Sequence, residues 1–77
     1  MERRQKIINI IQTVTKKTGV PEPGDNLFDS GLLDSFALPD LVSALEQEFG
    51  ISIPDSDLSP RKFSSIERIE EYLEGRN

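Results

Sequence analysis

The chain has 77 residues, too few for two hydrophobic cores, and we expect one small domain over residues 1–77. Its 35% hydrophobic and 30% charged residues exclude both a membrane-spanning protein and a chain disordered by charge. Because Cys and His are absent, disulfides and thiolate chemistry are excluded, and the commonest general base and metal ligand is missing.

Negative charge is concentrated in the middle of the chain. The net charge is −5, and residues 19–60 contain nine Asp and Glu side chains but no Lys or Arg. Such a run argues against a nucleic-acid partner and for a basic protein partner, with a merely solubilising surface as the alternative. The apolar stretch from Ile7 to Ile11 is too short for a signal peptide, so we expect no membrane insertion and a cytoplasmic location.

A first helix is predicted near the N-terminus by apolar residues at helical spacing. These residues are Ile7, Ile10, Ile11 and Val14, with Ile8 on the flank. Lys16 and Lys17 follow where the C-terminal end of a helix favours cations, and Gly19 is expected to end the helix.

A long loop is predicted over residues 20–34, because prolines and glycines interrupt any sustained period. Loops of this length are uncommon unless they are functional. Four large apolar residues imply that the loop folds back over the core: Leu27, Phe28, Leu32 and Leu33.

The second helix has the clearest amphipathic pattern, and Gly50 is expected to end it. Its apolar face consists of Leu38, Leu41, Val42, Leu45 and Phe49. Beyond it, Ile51 and Ile53 alternate like a strand, but Pro54 interrupts the pattern and no second strand is available for pairing. This segment is therefore predicted to be a loop that fills part of the core.

A short third helix of one or two turns is predicted before the last helix. Asp57 or Ser59 would cap it, Pro60 suits its first turn, and Phe63 would point inward.

The last helix is predicted to begin with a capping box formed by Ser64 and Glu67 and to end at Gly75. Its apolar stripe consists of Ile66, Ile69 and Leu73, with Tyr72 beside it. The predicted fold is all-α. It is a small antiparallel four-helix bundle with three longer helices, one short helix, and a long loop between the first and second.

The sequence offers little for catalysis or metal binding. A nucleophilic Ser normally needs an adjacent base, but His is absent and no Lys lies near the candidate serines. Asp55 and Asp57 lack the Gly and Glu spacing of a calcium loop, which favours capping or solvation. We expect neither an enzyme nor a metal site.

One hydroxyl stands at the expected start of the second helix, within Leu33-Asp34-Ser35-Phe36. Backbone N–H groups and the positive end of the helix dipole would stabilise a phosphodiester on Ser35. The simpler alternative is that Asp34 or Ser35 only caps the helix.

The surroundings of this motif resemble the acyl carrier and peptidyl carrier family, whose motif is Asp-Ser-Leu or a close variant at the start of the second helix. The variant here is Asp34-Ser35-Phe36. Residues 25–33 and 53–55 also match the family pattern, so the resemblance covers almost the whole chain. In the second helix the matching residues are Leu41, Leu45, Glu48, Phe49 and Gly50. The segment 61–73 resembles stand-alone carriers of the D-alanyl and aminoacyl kind.

This resemblance implies that a phosphopantetheinyl transferase uses coenzyme A to place 4'-phosphopantetheine on Ser35. The thiol of this arm would hold an acyl or aminoacyl group as a thioester, loaded by an adenylating enzyme and passed to a downstream acyltransferase or condensing enzyme. The carrier itself would be a monomer and catalyse nothing. The alternatives are a helical adaptor that has no prosthetic group, and a minimal hydrolase using Ser35, which the absence of His disfavours.

The exposed face of the second helix is the predicted surface for partner enzymes. It would consist of Phe36, Asp40, Ser43 and Gln47, flanked by Glu46 and Glu48. Phe36 is unusual on a polar face, and the alternative is that it packs beneath the preceding loop.

Pro39 departs from the family pattern, because it places a residue without an N–H four positions after Ser35. We therefore expect regular helix to begin only at about Leu38 or Pro39, after an irregular entry segment. Ser30 also follows an Asp, but only Ser35 leads directly into the helix, so we expect Ser35 to take the cofactor.

Overall fold

The computed structural model describes residues 3–75, and these residues form three α-helices. They are α1, Arg3–Thr15; α2, Leu38–Phe49; and α3, Ile66–Gly75. One 3-10 helix, Asp55–Asp57, lies between α2 and α3, and no strand occurs within residues 3–75. The prediction of an all-α fold is confirmed.

A single hydrophobic core is built from all three helices and from the segments that connect them. Helix α1 packs against both α2 and α3. The largest side chains without exposed surface are Phe63, Ile7, Ile11, Leu27, Leu41, Leu45, Ile66 and Ile69. Leu27 and Phe63 belong to the connections, which confirms that the long loop folds back over the core and that Phe63 points inward.

Helix α1 is shorter than predicted. It ends at Thr15, where Lys16 adopts a left-handed backbone conformation with a φ of 59°. The prediction that Gly19 ends the helix was therefore wrong, because a left-handed residue already breaks the hydrogen-bond ladder three positions earlier. The Gln12 amide donates hydrogen bonds to the carbonyls of Thr18 and Gly19 at 3.1 and 3.3 Å. The chain that follows the helix is thus held against it.

The buried face of α1 is rotated slightly from the predicted stripe. Ile7, Ile8 and Ile11 are buried. Ile10 and Val14 are only half-buried, at the edge of α1 that faces α2. Ile10 and Val14 line one side of a groove between α1 and α2.

The C-terminal end of α2 follows the prediction closely. Gly50 is left-handed, with φ 64° and ψ 38°, and its N–H donates to the Glu46 carbonyl. The Glu46 carboxylate also accepts a hydrogen bond of 2.7 Å from the Ile53 N–H. Ile53 is buried, so the expected loop that fills part of the core is confirmed.

The segment that was predicted to be a short third helix is organised differently. The 3-10 helix covers Asp55–Asp57, before the expected position, and residues 59–63 form hydrogen-bonded turns. Asp57 does not cap a following helix; its carboxylate accepts hydrogen bonds from Tyr72 Oη at 2.6 Å and from Lys62 Nζ at 2.8 Å. These side-chain contacts, more than local helix propensity, shape the segment.

Helix α3 begins one residue later than the predicted capping box requires. The Ser65 hydroxyl, not that of Ser64, accepts a hydrogen bond of 3.1 Å from the Arg68 N–H. Ser65 is therefore the cap, and the N–H of Glu67 donates to the Pro23 carbonyl of the long loop at 3.1 Å. The Pro23 carbonyl therefore takes the Glu67 N–H that the Ser64 hydroxyl would bond in the predicted capping box.

Candidate functional site

The loop before α2 is fixed to the core on both sides of a tight turn. Leu27 and Leu33 are buried, and the Leu33 N–H donates to the Leu27 carbonyl at 2.9 Å. The Leu27 N–H in turn donates to the Ser64 carbonyl at 2.6 Å, next to the start of α3. The loop therefore leaves the core at Leu33, immediately before Asp34 and Ser35.

The turn between these two leucines is held by Asn26, a residue that the sequence reasoning did not single out. Its Oδ1 accepts hydrogen bonds from the N–H groups of Phe28 and Asp29, both at 2.9 Å. Gly31 closes the turn with a φ of 83°, a conformation that L side chains rarely adopt. Asn side chains often accept a hydrogen bond from the backbone two residues later, so an Asn in this loop could have indicated such a turn.

Ser35 lies in a separate turn upstream of α2. The N–H of Ala37 donates to both the carbonyl and the Oδ1 of Asp34, at 3.1 and 2.9 Å. Asp34 therefore caps the turn that displays Ser35 and Phe36. Its position next to Ser35 was predicted, but the capping of Ala37 was not.

Regular helix begins at Leu38, with Pro39 within its first two residues and Ala37 at the cap position. The first bond of the ladder runs from the Leu41 N–H to the Ala37 carbonyl at 2.9 Å. The predicted delay of the helix start to about Leu38 or Pro39 is confirmed. The simpler interpretation of Ser35 as the helix cap was wrong, and the Ser35 hydroxyl lies farther from the helix dipole than the motif alone suggested.

The Ser35 side chain is exposed, and no residue in the range 3–75 forms a hydrogen bond with its hydroxyl. The hydroxyl of Ser30 differs, because it donates to the Leu27 carbonyl at 3.2 Å. Phe36 is 90% exposed, so it does not pack beneath the preceding loop, which was the alternative placement. An exposed hydroxyl and an exposed aromatic ring therefore lie next to each other in this turn.

The exposed face of α2 continues from this turn. Asp40, Ser43 and Gln47 are exposed, as the helical spacing predicted. Glu46 is half-buried and its carboxylate is used within the chain, on the Ile53 N–H. Predicting Glu46 as a partner contact therefore missed a structural role that only the tertiary fold creates. Glu48, on the opposite flank, lies 3.5 Å from Lys6 of α1.

Neither a metal site nor a membrane span is found among residues 3–75. Residues 3–75 contain no group of three or more Asp and Glu side chains arranged to hold a metal ion. None of the helices in that range has the length and hydropathy needed to cross a membrane.

The geometry alone fits either a phosphopantetheine carrier or an adaptor without a prosthetic group, and comparison with known proteins distinguishes the two. A family profile described as a phosphopantetheine attachment site matches residues 5–73. The chain belongs to this family. The resemblance to acyl and peptidyl carriers is confirmed, and with it the function of a carrier whose prosthetic group is 4'-phosphopantetheine.

Relatives with curated names point the same way. The chain is 31% identical over 70 residues to the D-alanyl carrier protein of Bacillus velezensis, covering 90% of each chain. It is 34% identical over 74 residues to the D-alanyl carrier protein of Bacillus pumilus, covering 95% of each. The corresponding protein of Enterococcus faecalis is 31% identical over 75 residues, covering 96% of each.

Membership of this family settles several general points. Carriers of this family are not enzymes; they work with a phosphopantetheinyl transferase and with adenylating enzymes, which supply the chemistry. The alternative of an adaptor without a prosthetic group is not supported. The accessible Ser35 hydroxyl and the open turn around it fit such a group, which supplies a flexible arm ending in a thiol.

Proposed function

We propose that Ser35 is the attachment point of 4'-phosphopantetheine and that the chain carries an aminoacyl group, D-alanyl, as a thioester on this arm. The assignment to Ser35 is carried by its contrast with Ser30, since both serines follow an Asp. Ser35 is exposed and its hydroxyl is not engaged by residues 3–75, whereas the Ser30 hydroxyl donates to the Leu27 carbonyl. A hydroxyl that must attack phosphorus in another protein's active site has to be accessible.

Ser35 and Asp34 would have different roles in holding the prosthetic group. Ser35 Oγ supplies the covalent bond, and Asp34 keeps the turn in shape through its hydrogen bonds to the Ala37 N–H. The positive end of the α2 dipole lies beyond this turn and favours the negative phosphodiester, with an effect that decreases with distance. Because the chain has no Cys, the arm's thiol is the only one available for a thioester.

The attachment site is tested by intact mass after incubation with a phosphopantetheinyl transferase and coenzyme A. We expect the parent chain and Ser30→Ala to gain one phosphopantetheine group and Ser35→Ala to gain none. Both substitutions are at exposed positions, so they form a matched pair. Modification that persists in Ser35→Ala and disappears in Ser30→Ala would overturn the assignment.

The proposed D-alanyl cargo is supported by the names of the relatives, which are D-alanyl carrier proteins at 31% to 34% identity over at least 90% of the chain. The test is to load the modified chain with the adenylating enzyme of such a relative, ATP, and either D-alanine or L-alanine. We expect the D-alanyl thioester to form preferentially. Equal loading with both, or with neither, would contradict the proposed cargo but not the attachment site.

The surface that partner enzymes recognise is proposed to be the turn and the exposed face of α2. Its members are Phe36, Asp40, Ser43 and Gln47, with Glu46 at the margin. Support comes from the 90% exposure of Phe36 next to Ser35 and from the acidic run of residues 19–60, which suits a basic enzyme surface. The transferase, the adenylating enzyme and a downstream acyltransferase would each use this face in turn.

Four further features belong to this proposal. The chain acts as one carrier domain over residues 1–77, as a monomer, in the cytoplasm where coenzyme A is used. Its helices form an antiparallel bundle, in which residues 55–63 take the place of a short fourth helix. Ion pairs support this arrangement, because Arg3 at the start of α1 pairs with Glu74 near the end of α3 at 3.5 Å and Lys6 of α1 pairs with Glu48 near the end of α2.

A further inference from the structure

The residue that follows α1 has a strained backbone. Within residues 3–75, Lys16 is the only residue other than glycine with a positive φ, at 59°. A side chain at positive φ is strained, and glycine or asparagine usually occupies this position after a helix. The surrounding chain holds Lys16 in place, because the Gln12 amide bonds the carbonyls of Thr18 and Gly19. The strained residue therefore has a fixed position.

The Lys16 side chain is exposed and has no ion pair or hydrogen bond with residues 3–75. The basic side chains at the other end of α1 differ, because Arg3, Arg4 and Lys6 pair with carboxylates of α2 and α3 at 2.8–3.5 Å. The dipole of α1 favours a cation at this end, but Lys17 supplies one without a positive φ. A strained residue without an internal role points to a function outside the chain.

Lys16 lies at the same end of the molecule as the attachment turn. The neighbouring Lys17 Nζ donates to the Gly31 carbonyl at 2.8 Å. Gly31 is four residues before Ser35, so the two are at most about 14 Å apart. A standard interface covers about 800 Å² of one partner, which is a patch about 32 Å across. One enzyme surface can therefore contact both Ser35 and Lys16.

We propose that Lys16 contacts a carboxylate-bearing patch on the phosphopantetheinyl transferase, next to the basic region that binds the exposed face of α2. The inference rests on the proposed attachment to Ser35. With this contact the carrier presents opposite charges from two helices that meet near the same serine. Complementary charges fix the orientation of docking, because a rotated enzyme would bring like charges together.

The test compares the kinetics of Ser35 modification in Lys16→Gln and in Arg3→Gln. Both substitutions remove one positive charge, but Arg3 lies about 20 Å away at the start of α1, in an exposed pair that contributes little to stability. At low salt we expect Lys16→Gln to raise the KM for the carrier about three-fold, the equivalent of about 0.7 kcal/mol, with kcat unchanged. Arg3→Gln should have the KM of the parent.

Two further variants separate the charge of Lys16 from its backbone conformation. Lys16→Arg keeps the charge and should restore the KM of the parent. Lys16→Gly should raise KM as Lys16→Gln does, yet keep the urea midpoint at or above that of the parent, because glycine adopts a positive φ without strain. A purely structural role would instead change KM and stability together. The rise in KM should also shrink at high salt, which screens exposed charges.

Failure of this contact and failure of the attachment give different results. An unchanged KM in Lys16→Gln, an equal rise in Arg3→Gln, or a rise that Lys16→Arg does not reverse would overturn the contact while Ser35 is still modified. Absence of the arm from Ser35 of the parent by intact mass would overturn the attachment and, with it, this inference.

Discussion

Pro39 sets the point at which α2 begins, and Pro39→Ala tests this directly. In the present helix the first ladder bond joins the Leu41 N–H to the Ala37 carbonyl at 2.9 Å. The N–H groups of the first turn have no partner within a helix, so the missing N–H of Pro39 costs no bond there. If the helix began at Ser35 instead, the same proline would remove a ladder bond and clash with the Ser35 carbonyl, at a cost of about 3 kcal/mol.

Pro39→Ala removes this penalty and allows the helix to extend back over Phe36. The extension would create new backbone bonds worth about 0.5–1.5 kcal/mol each, opposed by an ordering cost of about 1–2 kcal/mol per residue. Loss of the proline also increases the conformational entropy of the unfolded chain, which lowers the free energy of unfolding by about 0.4–1 kcal/mol. These terms nearly cancel, so we expect the free energy of unfolding to change by less than about 1 kcal/mol while the local structure changes.

Amide hydrogen exchange detects the local change. In the parent we expect the amides of Phe36 and Asp40 to exchange much faster than those of residues 42–45, and the Ala37 amide to be intermediate because Asp34 accepts its hydrogen bond. In Pro39→Ala the Asp40 amide should slow about two-fold, because it gains the Phe36 carbonyl as a partner in a helix extension whose free-energy terms nearly cancel and which is therefore populated about half of the time.

Pro54→Ala is the control that distinguishes a change at the start of α2 from the general effect of losing a proline in the unfolded chain. Pro54 is exposed, precedes the 3-10 helix and lies outside α2. Pro54→Ala should therefore share the small change in stability but leave the amides of residues 36–41 as in the parent. Exchange that is already uniform along α2 in the parent, or an Asp40 amide unaffected by Pro39→Ala, would show that the proline does not set the helix start.

Two further predictions concern the partner face and the loop. Asp40→Lys should slow loading by the adenylating enzyme, most strongly at low salt, and should lower the free energy of unfolding by about 1 kcal/mol because Asp40 lies in the first turn of α2, where the helix dipole favours a negative charge. Glu71→Lys, an equal charge change on α3, is the control for net charge, and unchanged loading by Asp40→Lys at low salt would count against the acidic face. Leu27→Ala should lower the free energy of unfolding by about 2–5 kcal/mol in urea titrations, because its side chain has 0% exposure; Val20→Ala, 68% exposed, should have little effect, and a small loss at Leu27 would mean that the loop is not part of the core.

The features that the sequence predicted well are those with one dominant local cause. The stripe on α2 and the stop at Gly50 follow from helical spacing and from the freedom of glycine at positive φ, and both are present. The buried leucines of the long loop were also predicted, since large apolar groups in a polar segment need a core to contact. Pro39 likewise placed the start of α2, because the cost of an interior proline is large compared with other local preferences.

The features that were missed depend on contacts between distant parts of the chain. Glu46 looks like any surface glutamate until the chain returns and places the Ile53 N–H against its carboxylate. The cap of α3 is Ser65 and not the predicted Ser64, because the Glu67 N–H that a Ser64 cap would bond donates instead to the Pro23 carbonyl of the long loop. No local pattern contains these partners, so local propensity named Ser64 as the cap and did not indicate the contact between Glu46 and Ile53.

The loop and turn that hold Ser35 are fixed by buried side chains and hydrogen bonds, whereas the Ser35 hydroxyl is not engaged by residues 3–75. Leu27 and Leu33 bury the loop, and Asp34 closes the turn through a backbone amide, yet neither arrangement uses the Ser35 hydroxyl. Stability is therefore expected to come from the buried leucines and the closed turn, and substitutions at the exposed Ser35 or Phe36 should change stability by no more than about 0.5 kcal/mol. Any larger effect of these substitutions on modification or loading must then arise from contact with the partner enzyme and not from loss of the fold.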